Sequence, residues 1–478
     1  MNEQEARQAL GQIFALRFPR SWDSLDLDRY PIANYIVFRD ALGPTFEASR
    51  DRLAEARARL RTRGIEPLFM MDEEGGRVTQ IAEFFPSAPS PRSIAKVLTP
   101  EAAADLYAQL GAYLGQMGID MNLAPCLDVA TEPMNPIIGT RSFGRDPAVV
   151  SALGEVVIRA LRRSVACVAK HFPGHGMTKL DSHLAMPVVD DSRETLQNVH
   201  IRPFREAIRW GTDGIMVSHC LYQALEVEEV PASLSRQIVH DHLRLNMGYD
   251  GLVLTDSLDM KSVTKSFSPS QAAAKALDAT CDILLYTEYS ERFEGAFAAT
   301  LDRLFMGKVS QDHLAQAIKR RHRIFERSSM IRDFKPLFDM GEYFDLADTA
   351  RNAATRVADE RGMLPLGSGG VVVLSTSSQA VEKMRVRVPA LAEFGGRRDD
   401  VSDASEKVLV LWLAEPLTLR LPVAALRSIV GAAKATVLVT TYEGIASTLA
   451  DCAVKIVTDD LSPQTEDAII QRLFPAAG

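Results

Sequence analysis

The chain contains no stretch approaching the roughly 20 apolar residues that cross a bilayer, so a membrane-spanning helix is not expected. Residues Met1 to Arg7 are polar and charged, without the apolar core of a secretory signal. Cysteine is scarce. Cys126, Cys167, Cys220, Cys281 and Cys452 are scattered, odd in number and never spaced Cys-x-x-Cys, which gives no sign of a disulfide framework or a thiolate metal site. Cys126 and Cys167 sit inside apolar runs and the other three flank one, the setting of buried reduced thiols, and a cytoplasmic location fits best. Positive charge is not in surplus either. A net charge of −8 and a pI near 5.7 give no electrostatic reason to expect nucleic acid or a membrane surface as a partner. The arginines between Arg50 and Arg63 alternate with Glu55, Leu and Ala at helical spacing and read as a solvated helix face. There is no Walker pattern, no Gly-x-Gly-x-x-Gly behind a strand and no low-complexity tract, so neither a metal nor a cofactor is expected.

What the chain does have is ordinary globular composition, 46 % hydrophobic and 24 % charged, over 478 residues. That is long enough for one large core and a smaller second one. Eight β-rich runs recur: Ile13–Phe18, Tyr35–Arg39, Leu68–Asp72, Met121–Val129, Val165–His171, Gly214–His219, Gly251–Asp256 and Asp282–Thr287. Between them lie amphipathic helical patterns such as Glu101–Gly118 and Gln271–Leu277. Alternation of this kind implies a parallel sheet with right-handed crossovers. Eight repeats match a (β/α)8 TIM-like barrel, with a doubly wound open sheet as the alternative. The expected organisation is an α/β catalytic barrel over 1–330, a connector over 331–365 with a helix from about Leu346 to Asp359, and a small α/β domain over 366–478. Strands in the last part are expected at Val371–Ser375, Lys407–Leu413, Ala435–Thr441 and Ala453–Val457, and the helical stretch up to Met330 is expected to complete the barrel's outer ring.

Polar residues collect at the C-terminal ends of the runs: Asp72-Glu73-Glu74, Asp128, Lys170-His171, Ser218-His219 and Thr255-Asp256. In a barrel these ends converge on one face, where the chemistry is kept. Asp213, Asp250 and Asp282 open their strands and belong to the opposite face, as turn or capping residues. The densest cluster runs from Lys170-His171-Phe172-Pro173-Gly174-His175-Gly176 to Asp181-Ser182-His183. His171 and His175 have the spacing of a helical zinc pair, but Pro173 and Gly174 between them argue against a helix. An idle polar loop is the other bland reading.

This segment resembles glycoside hydrolase family 3, in its bacterial cytoplasmic β-N-acetylglucosaminidase (β-N-acetylhexosaminidase) branch. The supporting matches are Asp72-Glu73-Glu74-Gly75-Gly76-Arg77-Val78, the run from Asn135 to Gly144, and Thr255-Asp256-Ser257-Leu258-Asp259-Met260. They fall in order across the whole barrel region. The resemblance implies a retaining hydrolase that removes terminal β-linked N-acetylglucosamine, from peptidoglycan fragments or similar glycosides, through a covalent glycosyl-enzyme intermediate. It makes Asp256 the nucleophile, with Asp259 as the rival carboxylate. It makes His183 the acid/base, held by Asp181. Asp72, Arg141, Lys170 and His171 become sugar-binding, and His219 is expected to line the pocket too, while His175 reads as loop architecture. Gly174 and Gly176 are expected to give the loop mobility. One departure stands out: the branch's sugar-binding arginine, eight residues after Asp72, is here Gln80, which can hydrogen-bond but lacks the charged fork. Phosphorolysis is the second enzymatic reading, and a non-catalytic sugar-binding barrel the third. The partner implied is a small carbohydrate.

Overall fold

The computed structural model describes residues 2–133, 135, 137–178, 186–333, 340–359, 363–366, 371–375, 378–387, 392–393, 408–413, 430, 433, 435–441, 449, 452–460 and 462–475. Eight of its strands form one parallel sheet: β1 Phe14–Arg17, β2 Asn34–Ile36, β3 Leu68–Met71, β4 Met121–Asn122, β5 Ala166–Phe172, β7 Gly214–Val217, β9 Leu252–Thr255 and β10 Leu284–Leu285. Two short strands, β6 Val188–Val189 and β8 Leu221–Tyr222, pair with each other outside it. The sheet order runs β10, β1, β2, β3, β4, β5, β7, β9, and a parallel bridge between Leu254 and Ile283 joins its ends. All eight expected runs are barrel strands. The fourth is much shorter than Met121–Val129, because Pro125 has no N–H for the ladder and only Cys126 bridges back to Lys170.

Alternation sorts the strand side chains into two cores. Ala15, Ile36, Met70, Met121, Val168, Met216, Leu254 and Leu285 fill the interior, while Phe14, Tyr35, Phe69, Cys167, Ile215 and Val253 face the surrounding helices. Those helices start and stop where local chemistry dictates. In Pro100–Met117, Thr99 caps the Ala102 N–H, Pro100 opens the first turn, and Gly118 ends the helix at φ 106°, where a side chain would be strained. Pro269–Asp278 begins with a Ser268/Gln271 capping box.

The stretch after Thr287 holds two helices: Glu291–Phe305 packs beside Pro269–Asp278 and Glu3–Gly11 and completes the outer ring as expected, whereas Gln311–Asp333 does not belong to that ring. It crosses the N-terminal ends of the strands and pins them. Arg320 pairs with Asp282 (3.0 Å), Arg327 with Asp213 (2.5 Å), and buried Arg321 donates to Asn34 Oδ1 (2.7 Å) and Ala33 O (2.9 Å). Ile324 enters the interior core from below. Asp213 and Asp282 are therefore ion-pair partners of this helix rather than simple turn residues, and exposed Asp250 pairs with Arg320 and Arg323. Four cations on one helix face outweigh isolated caps.

The second sheet has the order β11, β16, β15, β14, β12, β13. Its strands are β11 Thr355–Asp359, β12 Val371–Ser375, β13 Ala392–Glu393, β14 Val408–Leu413, β15 Ala435–Thr440 and β16 Val454–Thr458. The expected helix over Leu346–Asp359 is corrected here: it runs Met340–Ala354, and β11 follows, pairing antiparallel with β16. Thr355 and Val357 are β-branched, and Thr355 Oγ1 bonds Thr458 Oγ1 at 2.9 Å, so cross-strand pairing overrides helical propensity. The sheet thus starts inside the 331–365 segment. This domain and the helix before it meet the barrel at the stretch after β3: Ser90 N donates to Asp460 Oδ1 (2.9 Å) and Lys96 pairs with Asp459 (2.6 Å), while Tyr343 OH, on the helix Met340–Ala354, donates to Pro86 O (2.9 Å).

Candidate active site

The C-terminal ends of the barrel strands surround a cavity of about 1030 Å³. Asp72, Gln80, Arg141, Lys170, His171 and Asp256 all line it, and so do Glu74, Arg77, His175 and Asp259. The hub is Glu74, at the end of β3. Arg141 grips it with two parallel bonds, Nε to Oε2 at 2.8 Å and Nη2 to Oε1 at 2.7 Å. Lys170 Nζ lies 2.5 Å from Glu74 Oε1 and 2.5 Å from Asp72 Oδ1. Burial would push the Glu74 carboxyl up, but Arg141 and Lys170 outweigh it and hold Glu74 well below the usual carboxylate range. Burial likewise disfavours charged Lys170, yet Asp72 and Glu74 raise its ammonium above the ordinary lysine range. These charges are permanent near neutral pH and fixed in place.

The network continues into β5. Arg141 Nη2 lies 3.3 Å from His171 Nε2; arginine can only donate, so Nε2 accepts. His171 Nδ1–H then donates to Asp128 Oδ2 at 2.7 Å. Asp128 also accepts the His175 N–H at 2.5 Å and the Cys126 thiol at 3.2 Å. Burial opposes ionisation of Asp128, but the His171 ring and the His175 ring and N–H bring it down to about 2. Cys126, Asp128 and His171 have metal-ligand chemistry and lie within 4.8 Å of one another. Their atoms already bond among themselves, so the cluster reads as a hydrogen-bonded support for His171.

Asp256 directly follows β9. Its N–H donates to Val217 O at 3.0 Å, and its Oδ1 accepts the Ser257 N–H at 2.7 Å. Asp259 lines the same cavity, in a turn before the short helix Lys261–Thr264. Its Oδ2 accepts the Thr287 N–H at 2.9 Å, so it ties two loops together, and burial raises its carboxyl above the usual range. Gln80 faces the cavity with Oε1 accepting the Arg39 N–H (3.1 Å) and Nε2 donating to Asp72 O (3.4 Å). Its backbone is held by buried Glu73, whose Oε2 accepts Gln80 N–H (2.7 Å) and Thr79 Oγ1–H (3.0 Å).

Three expectations come out differently. His219 is buried but absent from the cavity wall, with both ring nitrogens turned to protein, Nδ1 2.6 Å from Ser233 Oγ and Nε2 2.9 Å from Ser257 O. His175 is on the wall; burial lowers its ring to about 4, so it is neutral in the working range. Gly174 and Gly176 mark close approach rather than hinge freedom. A Cβ on Gly174 would meet His200 Cβ at 2.8 Å, and one on Gly176 would meet Val129 O at 2.0 Å. Asp181 and His183 lie outside the described residues. Glu74 was expected at this face but without a role, and Arg77 only as part of the quoted motif; both line the cavity.

The family described as Glycosyl hydrolase family 3 N terminal domain matches residues 15–324. Beta-hexosaminidase A of Pseudoalteromonas piscicida is 34 % identical over 319 residues, 62 % of this chain and 53 % of that protein. The chain thus spans about half the length of that relative. A Beta-hexosaminidase of Idiomarina loihiensis is 34 % identical over 244 residues, covering 50 % of this chain and 72 % of that protein. The solved glycoside hydrolase family 3 beta-N-acetylglucosaminidase from Paenibacillus sp. str. FPU-7 superposes with a TM-score of 0.79 at 24 % identity. That match covers 97 % of this chain and 95 % of the other, and supports the two-part fold.

Proposed function

This chain belongs to glycosyl hydrolase family 3, and from that premise we propose that it is a retaining β-N-acetylhexosaminidase. Its substrate class is glycosides with a terminal β-linked N-acetylglucosamine, peptidoglycan fragments among them. The observation that carries the reading is the cavity itself. A strand-end carboxylate, Asp256, shares it with a rigid polar set of Asp72, Lys170, Arg141 and His171. One wall offers charged hydrogen-bonding groups fixed before any sugar arrives, which lowers the cost of orienting it. Gln80 adds a neutral amide to that wall. The relatives named as beta-hexosaminidases support the choice of sugar.

In the proposed reaction Asp256 attacks C1 of the sugar and forms a glycosyl-enzyme ester. The glycosidic oxygen leaves with a proton from His183, whose imidazole Asp181 orients. Water then attacks the same carbon, His183 takes its proton, and Asp256 is released with the anomeric configuration retained. Cys126, Cys167, Cys220 and Cys281 are buried thiols, the setting expected of a reduced compartment, which supports the cytoplasm. Turnover of p-nitrophenyl β-N-acetylglucosaminide tests the activity, and free N-acetylglucosamine is the expected product with or without phosphate. Sugar 1-phosphate as the main product would replace hydrolysis by phosphorolysis. No turnover would favour a binding protein.

A further inference from the structure

His219 was expected on the pocket wall, yet it lies behind it. The ring follows β7 by two residues, is buried, and does not line the cavity at the strand ends. Its two contacts fix its chemistry. The Ser257 carbonyl can only accept, so Nε2 carries the hydrogen, and Nδ1 must accept from the Ser233 hydroxyl. Burial keeps the ring below the usual histidine range even though Asp256 pulls the other way, so the neutral tautomer persists. Ser233 is itself buried in the turn Ala232–Leu234, with its N–H on Ser218 O at 3.1 Å. Ser257 is therefore held by both main-chain groups: its carbonyl by His219, its N–H on Asp256 Oδ1. Among the described residues His219 is the one side chain bonded to that carbonyl, which also accepts the Met260 N–H at 3.1 Å.

We propose that His219 is a positioning residue, which holds the Asp256 carboxylate in its attacking orientation by fixing the Ser257 main chain and never contacts the sugar. The inference rests on Asp256 being the nucleophile. Rotation of Ser257 would release the N–H that orients Oδ1, and a small misplacement of a reacting atom can cost about a hundredfold in rate.

The test uses the full chain and an aryl N-acetylglucosaminide. His219→Leu keeps bulk and removes both contacts; His219→Gln retains an amide donor; Ser233→Ala removes only the partner of Nδ1. The expected kcat falls about tenfold to a hundredfold in His219→Leu and about threefold in Ser233→Ala, and His219→Gln recovers most of the loss. The KM and the inhibition constant of N-acetylglucosamine should move by less than about twofold, because binding of the sugar is untouched. An inhibition constant that weakens in step with kcat would put His219 against the sugar and overturn the proposal. Full kcat in His219→Leu would overturn it too. Should that variant not fold, equal and low kcat in the other two, or wild-type kcat in both, overturns it; the graded pair supports it. Asp256→Ala is assayed in parallel. Retained turnover there would sink the nucleophile assignment, a failure separate from that of His219.

Discussion

Replacing Glu73 with glutamine should flatten the dependence of stability on pH between about pH 5 and 8, and the reason lies in one buried carboxyl. Burial lifts Glu73 from 4.5 to about 8, against hydrogen bonds from Gln80, Thr79 and Ile81 that pull it down. The folded protein thus keeps a proton that the unfolded chain gives up. A group raised in this way contributes stability that is fully present below 4.5 and is lost as pH rises through about 8. At pH 7 the gap from 4.5 is 2.5 units, and about 1.36 kcal/mol per unit makes the loss about 3 kcal/mol at most. Glutamine cannot ionise. Its carbonyl can accept from Thr79 and Gln80 as Glu73 Oε2 does, while its amide occupies the place of Oε1, which has no partner. That unmet amide costs about 1–3 kcal/mol, but the cost does not change with pH. The informative quantity is therefore the difference between variant and wild type across pH. Melting temperatures measured from pH 5 to 8 should converge toward, or cross in favour of, Glu73→Gln as pH rises. The swing is a few degrees, since a large domain moves by about 2–4 °C per kcal/mol or less. Parallel melting curves across this range would show that Glu73 is ionised in the folded state and refute the reasoning.

Asp256→Ala should abolish turnover with the fold intact, because the covalent step has no substitute nucleophile; mass spectrometry after a 5-fluoro glycosyl donor should find the label on Asp256, not on Asp259. His183→Ala should depress natural substrates far more than aryl glycosides, whose leaving groups need little protonation, and an equal loss on both would refute an acid role. Gln80→Arg should tighten N-acetylglucosamine binding several-fold, a charged bond contributing about 1.5–3 kcal/mol against about 0.5–1.5 for a neutral one. Loss of the bond to Arg39 N–H offsets part of that gain, and unchanged binding by calorimetry would mean that residue 80 does not reach the sugar.

Strand identity in the barrel was legible because each run is short, mostly apolar and bounded by polar or turn-forming residues. The helix Gln311–Asp333 was legible as a helix but not as a floor. Its amphipathic pattern is the same whether arginines face water or the buried carboxylates of Asp213 and Asp282, which lie about 40 to 110 residues away in sequence. The helix end at Ala354 was missed because nothing local distinguishes Thr355–Asp359 from one more turn, and the partner that makes it a strand lies at Val454–Thr458. In the site, strand-end position brought out Asp72, Lys170, His171 and Asp256, while Arg141 and Gln80 came only with the family resemblance; all six line the cavity. Neither signal sufficed for His175 and His219. One histidine two residues past a strand and another between two glycines exchange places according to which way a single turn rolls. Only neighbours such as Ser233 and Asp128 decide that.

The clasp beneath the strands also has a history in synthesis. A ribosome releases Arg57, Arg162 and Arg244 first, and each lies against an acid at the base, Asp120, Asp213 and Asp282 respectively. Arg320, Arg321, Arg327 and Ser328 arrive last, reaching Asp282, Asn34, Asp213 and the Asp120 carbonyl at once. Arg57, Arg162 and Arg244 engage three of the strand bases from earlier in the chain; the helix Gln311–Asp333 adds contacts that join residues as distant as Asn34 and Arg321. A barrel cut short of residue 311 would keep Arg57, Arg162 and Arg244 on their carboxylates and lose the one helix that ties Asn34, Asp120, Asp213 and Asp282 together.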